Sequence, residues 1–204
     1  MKAWKERFVL GITGMMGSGK STAARFLEEA GAFRISADHI AKFYTSAESP
    51  IKEELVTLLG QGVLDLQGVP DRKAIAKIVF SDAKKLQALN ELIHPLVRKQ
   101  TRELLTSQKQ GTFIAWEVPL LFESGAHLEC DATLSVVTEE HLAEKRVWQR
   151  DNLDAAAYQA RIAKQMPIKK KIELSDFIIE NNTSPESLKQ QCMGIYNKIM
   201  QYRG

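Results

Sequence analysis

Features that define whole classes of protein are scarce or missing in this sequence of 204 residues. Only two cysteines occur, Cys130 and Cys192, and they lie far apart, so neither a disulfide framework nor a metal cluster is predicted and a reduced compartment fits. No run of about 18 apolar residues is present, so we expect no membrane span and a cytoplasmic protein. The 28 basic and 25 acidic residues nearly balance, and charge therefore gives no argument for nucleic-acid binding.

The N-terminus resembles a secretory leader only superficially. Lys2 and Lys5 precede an apolar stretch, but that stretch contains glycines, and Lys20 stands directly before the supposed cleavage site. We therefore expect no leader. The length predicts a single α/β unit with one substantial core.

The most informative segment is Gly14–Ser21, which reads G-M-M-G-S-G-K-S and fits the pattern Gly-x4-Gly-Lys-Ser/Thr of a phosphate-binding loop. Glycines are needed there because phosphates must approach the backbone N–H groups closely. Residues 8–13 before the loop predict a buried strand, and residues 21–30 after it predict a helix. We therefore expect a nucleotide to bind, with Lys20 along its terminal phosphates and the Ser21 hydroxyl on Mg²⁺.

The spacing of apolar residues predicts the remaining elements. Strands are expected at 33–36, 112–117, 132–137 and 177–179, and helices at 37–44, 50–59, 71–80, 82–93, 95–108, 139–150, 154–166, 168–174 and from 185 onward. The block 38–110 is almost entirely helical, which is long for a crossover between parallel strands. It therefore predicts a substrate-binding insertion.

Several polar residues are candidates for chemistry, each with a structural alternative. Asp38 follows a predicted strand, and its carboxylate could accept a proton from an attacking hydroxyl or cap the next helix. Arg146 and Arg150 share a helix face that could bind a triphosphate, and Arg161 and Gln165 repeat the spacing on the next helix. A solvated basic face would explain the same residues.

Other candidates stand at the ends of elements. Glu117 ends a buried strand and could steady Mg²⁺ through water, or lie on the surface. His94, before a proline, could orient the substrate or cap a helix start. Asn181 could touch the adenine or form a turn. The run Lys169–Lys171 is predicted to be solvated.

The sequence bears on three functional classes that could use such a loop. A GTPase is disfavoured because the only approximation to its guanine-reading motif is Asn197–Met200, where methionine replaces the required carboxylate. A nucleoside or nucleotide kinase of similar architecture remains possible. A nucleotide-dependent regulator or nucleic-acid binder is the third class.

Taken in order, further segments make the sequence similar to the dephospho-coenzyme A kinase family over almost its whole length. The segments are G-I-T-G-M-M-G-S-G-K-S-T, S-A-D-H-I-A-K, L-N-E-L-I-H-P-L-V, V-P-L-L-F-E, K-R-V-W-Q-R, A-R-I-A-K-Q-M and S-D-F-I-I-E-N-N. The resemblance implies a P-loop kinase fold, in which helices flank a parallel sheet. It implies a nucleotide core near 7–37, 111–138 and 175–204, an acceptor arm near 38–110 and a lid near 139–174.

The resemblance also implies the reaction and its residues. ATP would phosphorylate the ribose 3′-hydroxyl of dephospho-CoA with Mg²⁺, in a monomer or weak homo-oligomer that binds neither nucleic acid nor membrane. Catalysis would involve Asp38, Lys20 and Arg146, and metal binding Ser21 and, through water, Glu117. Nucleotide contacts would come from Gly14, Met15, Met16, Gly17, Ser18, Gly19, Lys20, Ser21, Thr22, Arg146, Arg150 and Asn181, and acceptor contacts from Asp38, His94, Pro119, Leu120, Glu123, Arg161 and Gln165.

Three positions depart from the family pattern. Ser36 and Glu117 stand where the family usually has aspartate, and Met15 replaces its second glycine. Because the loop glycines at 14, 17 and 19 are present, we expect ATP binding to persist.

Overall fold

The computed structural model describes residues 6–203. Lys2 and Lys5, named with the rejected leader, and Gly204, the end of the expected nucleotide core, lie outside them. The strands are β1 (Arg7–Gly14), β2 (Phe33–Ser36), β3 (Thr112–Glu117), β4 (Ala132–Val137) and β5 (Phe177–Glu180). The α-helices are α1 (Lys20–Glu29), α2 (Ala37–Phe43), α3 (Lys52–Leu59), α4 (Arg72–Ser81), α5 (Ala83–Ser107), α6 (Glu140–Asp151), α7 (Ala155–Ile162), α8 (Ile168–Leu174) and α9 (Pro185–Met200).

The strands form one parallel sheet in the order β2-β3-β1-β4-β5. Apolar residues run almost without interruption through β1 and β3, as expected for strands that are covered on both faces. The C-terminal ends of parallel strands meet at one edge of a sheet. The segment that follows β1 at this edge is the predicted phosphate loop.

The two faces of β1 are covered differently. Phe8, Leu10 and Ile12 join a buried cluster with residues of α1 and α9. On the other face, Gly11 leaves room for the chain that follows β3, because a Cβ there would lie 2.6 Å from Cys130 Sγ. Burial raises the pKa of the Cys130 thiol to about 12, so this cysteine is a packing residue.

The chain forms two compact units. Among the described residues, one unit comprises 6–36 and 108–203 and contains the sheet, and the other comprises 37–107 and contains α2 to α5. The helical unit has its own core, in which Leu55, Val63, Ile75 and Ile93 are buried. Among residues 6–203, no helix combines the length and hydrophobicity needed to cross a bilayer.

The prediction of two helices at 82–93 and 95–108 was wrong. A single helix, α5, runs from Ala83 to Ser107 with Pro95 inside it. The buried residues Leu89, Ile93, Thr101 and Leu105 continue one face across the proline. Packing along this face outweighs the local tendency of proline to end a helix.

Other boundaries differ by a few residues. Helix α3 begins at Lys52 rather than at residue 50, and α7 ends at Ile162 rather than at 166. The predicted cap of α9 is confirmed, since Ser184 Oγ accepts a hydrogen bond from Ser187 N at 3.2 Å.

We predict that Pro95→Ala stabilises the protein. Alanine restores an N–H donor for the carbonyl of Glu91 and removes the ring clash, which together should raise the free energy of unfolding by about 1 to 3 kcal/mol. Urea unfolding followed by far-UV circular dichroism measures the change. The control is Pro50→Ala, which lies outside the helices and should give no gain. Equal stabilities of the two variants would contradict the prediction.

Candidate functional site

Glycines shape the loop between β1 and α1. Gly14, Gly17 and Gly19 have φ angles of +148°, +81° and +96°, which side-chain-bearing residues rarely adopt. Neighbouring groups also press on them, because a Cβ on Gly14 would overlap the Val136 carbonyl and one on Gly17 would lie 2.5 Å from the Ala143 carbonyl oxygen. The loop conformation therefore depends on these glycines.

Helix α1 begins directly after this loop. Its N-cap residue, Gly19, offers no side-chain acceptor, and its first turn has no acidic residue, so its N-terminal N–H groups are well suited to bind an anion. Lys20 Nζ donates a hydrogen bond to the carbonyl of Met15 at 2.9 Å, which holds the ammonium over the loop. Positive charge and backbone donors therefore converge where phosphates would bind.

The next residue of α1 connects the loop to β3. Ser21 Oγ donates a hydrogen bond to Glu117 Oε1, and Arg34 Nη2 lies 3.1 Å from Glu117 Oε2. Glu117 is 3% exposed, which excludes the alternative that it is a simple surface residue. Because the Ser21 hydroxyl donates its hydrogen to Glu117, the lone pairs of the Ser21 oxygen remain available to bind a cation. Arg34 was not identified from the sequence, and no pattern around it indicates the contact.

Arg146 of α6 is fixed against the ends of β4 and β5. Its Nη2 donates to the Asn181 carbonyl at 3.0 Å, and its Nη1 donates to Thr138 Oγ1 at 3.3 Å. The Asn181 side chain in turn donates to the Ser18 carbonyl at 2.8 Å. The structure thus links two predicted nucleotide residues, Arg146 and Asn181, to the loop.

The other predicted arginines lie farther along their helices. Arg150 is exposed and forms an ion pair with Asp151 at 2.7 Å. Arg161 is exposed in the last turn of α7. Gln165 follows that helix, and its Oε1 is buried without a partner among residues 6–203. The roles of all three residues stay predictions.

Helices α6 and α7 pack against the loop through Met16. Ala143, Val147 and Tyr158 form a buried cluster that Met16 joins, and the Tyr158 hydroxyl donates to the Met16 carbonyl at 3.5 Å. Burial, followed by the nearby charges of Glu140 and Glu144, raises the pKa of Tyr158, so the hydroxyl stays protonated. Sequence reasoning missed Tyr158, although its helical spacing marks it as an inward-facing residue.

The segment after β3 contains three predicted acceptor residues. The Pro119 carbonyl accepts a hydrogen bond from Thr13 Oγ1 at 3.1 Å, and Leu120 is 39% exposed. Glu123 Oε1 accepts from the backbone N–H of Met166 at 2.8 Å and lies 2.9 Å from Lys171 Nζ. These contacts bring the segment together with α8 and the end of β1.

The prediction that the run Lys169–Lys171 is solvated was wrong for its last residue. Lys171 is completely buried, whereas Lys169 and Lys170 are exposed. Counted from Ile168 as position i of α8, Lys171 is at i+3 and Ile172 is at i+4. These three positions lie on one face of a helix, and Lys171 is therefore on the same face as two apolar residues. This spacing was the available signal, and the charge of the run concealed it.

Asp38 and His94 belong to the helical unit. Asp38 is the second residue of α2, two residues beyond the end of β2, and pairs with Lys42 at 3.0 Å. It therefore lies within the helix and is not its N-cap. His94 is exposed in the interior of α5, so the alternative that it caps a helix start was also wrong.

The residues present fit a magnesium ion bound together with a nucleotide. Within residues 6–203, no group of three or more His, Cys, Asp or Glu side chains could hold a metal by itself. Mg²⁺ usually takes few protein ligands, and it completes its shell with phosphate oxygens and water. The Ser21 hydroxyl, oriented by Glu117, matches that requirement.

Comparisons with known proteins bear on the family and on the fold. A family model described as Dephospho-CoA kinase matches residues 8–187. The dephospho-CoA kinase of Leptospira interrogans serogroup Icterohaemorrhagiae serovar copenhageni is 46% identical over 196 residues, covering 96% of this chain and 95% of that protein. The crystal structure of a Thermus thermophilus protein matches with a TM-score of 0.79 and 34% identity, covering 95% and 98% of the two chains. The structure of the dephospho-CoA kinase from Campylobacter jejuni matches with a TM-score of 0.67 and 29% identity, covering 96% of this chain and 98% of that chain. The predicted fold, a parallel sheet flanked by helices, is confirmed.

We predict that Gly19→Ala weakens ATP binding. A Cβ at this position would overlap the Asn181 side-chain nitrogen, in addition to the strain that a φ of +96° imposes on alanine. Titration calorimetry with ATP and Mg²⁺ should show at least about tenfold weaker binding, since one displaced hydrogen-bonded contact is worth roughly 1.4 kcal/mol or more.

Gly60→Ala is the matched control for this substitution. Gly60 has a nearly identical φ of +92°, but no atom lies within 4 Å of a Cβ built on it. The control should lose stability through backbone strain alone and bind ATP normally. Similar ATP affinities for both variants would show that the contact with Asn181 does not matter.

Proposed function

The chain belongs to the dephospho-CoA kinase family, and from this premise we propose how its residues carry out the reaction. The reaction transfers the γ-phosphate of ATP to the ribose 3′-hydroxyl of dephospho-CoA and gives CoA and ADP. The observation that carries the proposal is the hydrogen bonding around the phosphate loop. The Asn181 side chain donates to the Ser18 carbonyl of the loop, and Arg146 donates to the Asn181 carbonyl. This arrangement can hold a triphosphate and neutralise charge on the transferred group.

The nucleotide binds through the loop from Gly14 to Thr22. The backbone N–H groups of the loop and the N-terminus of α1 surround the phosphates. The Lys20 ammonium moves from the Met15 carbonyl to the terminal phosphates when the nucleotide binds. Arg146 stabilises charge that develops during transfer, and Arg150 lies one turn further along the same helix. Asn181 contributes by fixing the loop at Ser18.

Mg²⁺ is the proposed metal cofactor, held by the Ser21 hydroxyl and, through water, by Glu117. When bound, it supplies positive charge to the β- and γ-phosphates. Glu117 orients Ser21 by accepting its proton, and Arg34 holds the carboxylate in place.

Each compact unit contains residues that we propose for contact with the acceptor. In the sheet-containing unit these are Pro119, Leu120, Glu123, Arg161 and Gln165. Leu120 offers exposed apolar surface, and Gln165 offers an oxygen that has no hydrogen-bond partner among residues 6–203. In the helical unit they are Asp38 and His94. Asp38 accepts the proton of the attacking hydroxyl, for which its exposed carboxylate is chemically suited.

The family membership favours this acceptor over the nucleosides and nucleotides that related kinases use. We further propose that the protein acts in the cytoplasm, as a monomer or weak homo-oligomer, without nucleic acid. The near balance of 28 basic and 25 acidic residues supports the last point.

We predict that ADP release from ATP and Mg²⁺ depends on dephospho-CoA. Adenosine, AMP and CMP serve as alternative acceptors, and Lys20→Ala serves as a blank because it removes the cation at the phosphates. CoA should form in amounts equal to ADP. Release with a nucleotide acceptor alone would assign the protein to the nucleotide kinases, and ATP binding without any transfer would indicate a regulator.

We predict that Asp38→Asn lowers kcat about 10²- to 10⁴-fold while the Kd for ATP changes little, because the variant removes the base but no phosphate contact. Steady-state kinetics and calorimetry give the two quantities.

Lys42→Met is the matched control for Asp38→Asn. It breaks the same ion pair but leaves the Asp38 carboxylate in place, so kcat should stay close to that of the wild type. Normal turnover of Asp38→Asn would remove this residue from the mechanism.

A further inference from the structure

Lys171 is a buried charge that has no part in the reaction as proposed above. Its side chain is 0% exposed, and Nζ lies 2.9 Å from Glu123 Oε1, 2.9 Å from the Pro119 carbonyl oxygen and 3.4 Å from Thr13 Oγ1. An ammonium group has three N–H donors, and these three acceptors match that number. A buried charge with a complete set of partners is a specific arrangement, since an unpaired one would be very costly.

The three acceptors come from two segments of the chain. Thr13 lies in β1 directly before the phosphate loop, whereas Pro119 and Glu123 lie in the segment that follows β3. Glu123 also accepts the N–H of Met166, in the connection between α7 and α8. The ammonium group of Lys171 therefore ties the segment after β3 to the central strand, and Glu123 ties the same segment to the chain leading into α8.

The two segments do not depend equally on this lysine. Thr13 is fixed by the sheet, where it pairs with Ser135 of β4 and is completely buried. Residues 119–125 lie outside the strands and bond among themselves in turns, with Ser124 N to Leu120 O at 2.9 Å. Loss of Lys171 should therefore displace residues 119–123 and leave the phosphate loop in place.

The charge states are consistent with a permanent ion pair. Burial alone would raise the pKa of Glu123, but hydrogen bonds from Met166 N and from Lys171 lower it below its ordinary value. Burial lowers the pKa of Lys171, and the Glu123 carboxylate opposes that shift. Glu123 is thus ionised at neutral pH and serves as the counter-ion of Lys171.

We infer that Lys171 is a positioning residue for the acceptor, because it holds the segment of Pro119, Leu120 and Glu123 in the geometry that binds dephospho-CoA. This rests on the proposed acceptor role of that segment. Lys171 itself does not touch the substrate, and it acts on acceptor affinity rather than on ATP.

The test compares Lys171→Met with Lys170→Met, which makes the same chemical change on the exposed face of α8. Lys171→Met should raise the KM for dephospho-CoA at least about tenfold, because the displaced residues 119–123 lose hydrogen bonds to the acceptor, and leave the Kd for Mg-ATP within about twofold. Lys170→Met should match the wild type in both quantities. Thermal melting shows whether each variant is folded.

Other results would overturn the inference. Equal losses in acceptor and ATP binding, or a lower Tm with unchanged KM, would show that Lys171 only stabilises the fold. A wild-type protein that does not phosphorylate dephospho-CoA would overturn the proposed function as well, whereas an active wild type without the separation of KM and Kd would overturn the inference alone.

A second variant covers the case that Lys171→Met does not fold. Lys171→Arg keeps the charge and donors, although its head group is larger. It should stay folded, with a moderate rise in the KM for dephospho-CoA and an unchanged Kd for ATP. If Lys171→Arg instead weakens ATP binding as much as acceptor binding, the positioning role is excluded.

Discussion

The close approach of neighbouring backbone and side chains to the phosphate loop is the constraint on which the rest of the site depends. Val136 at the end of β4, Ala143 in α6 and Asn181 after β5 each press on one loop glycine, so that no side chain fits at positions 14, 17 or 19. The loop is thereby clamped from three directions by elements that are distant in sequence. Its N–H groups are organised before any nucleotide arrives, which reduces the cost of ordering them on binding.

The same loop also packs against α6 and α7. Met16 joins the apolar cluster of Ala143, Val147 and Tyr158, and the same helix carries Arg146 to the Asn181 carbonyl. Apolar contact fixes where the helix lies, and the arginine then points to the end of the sheet. The chain after α7 in turn contacts the segment that follows β3, because Met166 N donates a hydrogen bond to Glu123 Oε1.

Sequence patterns predicted the strands and the loop because these depend on local rules: apolar runs for a parallel sheet, and glycines where the backbone must turn. The same patterns gave wrong or no predictions where contacts with residues distant in the sequence determine the structure. Pro95 reads as a helix start, yet the buried face from Leu89 to Leu105 carries α5 through it. Lys171 reads as part of a solvated run, yet Glu123 and the Pro119 carbonyl, about fifty residues away, provide its partners. Arg34 lies 83 residues from the carboxylate it binds, and no local signal marks it.

The surroundings of Glu117 depend on distant partners in the same way. Ser36 and Glu117 are direct neighbours in the β2–β3 register, so an aspartate at 36 would place a second carboxylate beside Glu117. The Arg34 guanidinium, from the same strand as Ser36, lies 3.1 Å from Glu117. Glu117 therefore accepts one hydrogen bond at each oxygen, from Ser21 and from Arg34. A carboxylate engaged in this way is well suited to hold the Ser21 hydroxyl in one orientation.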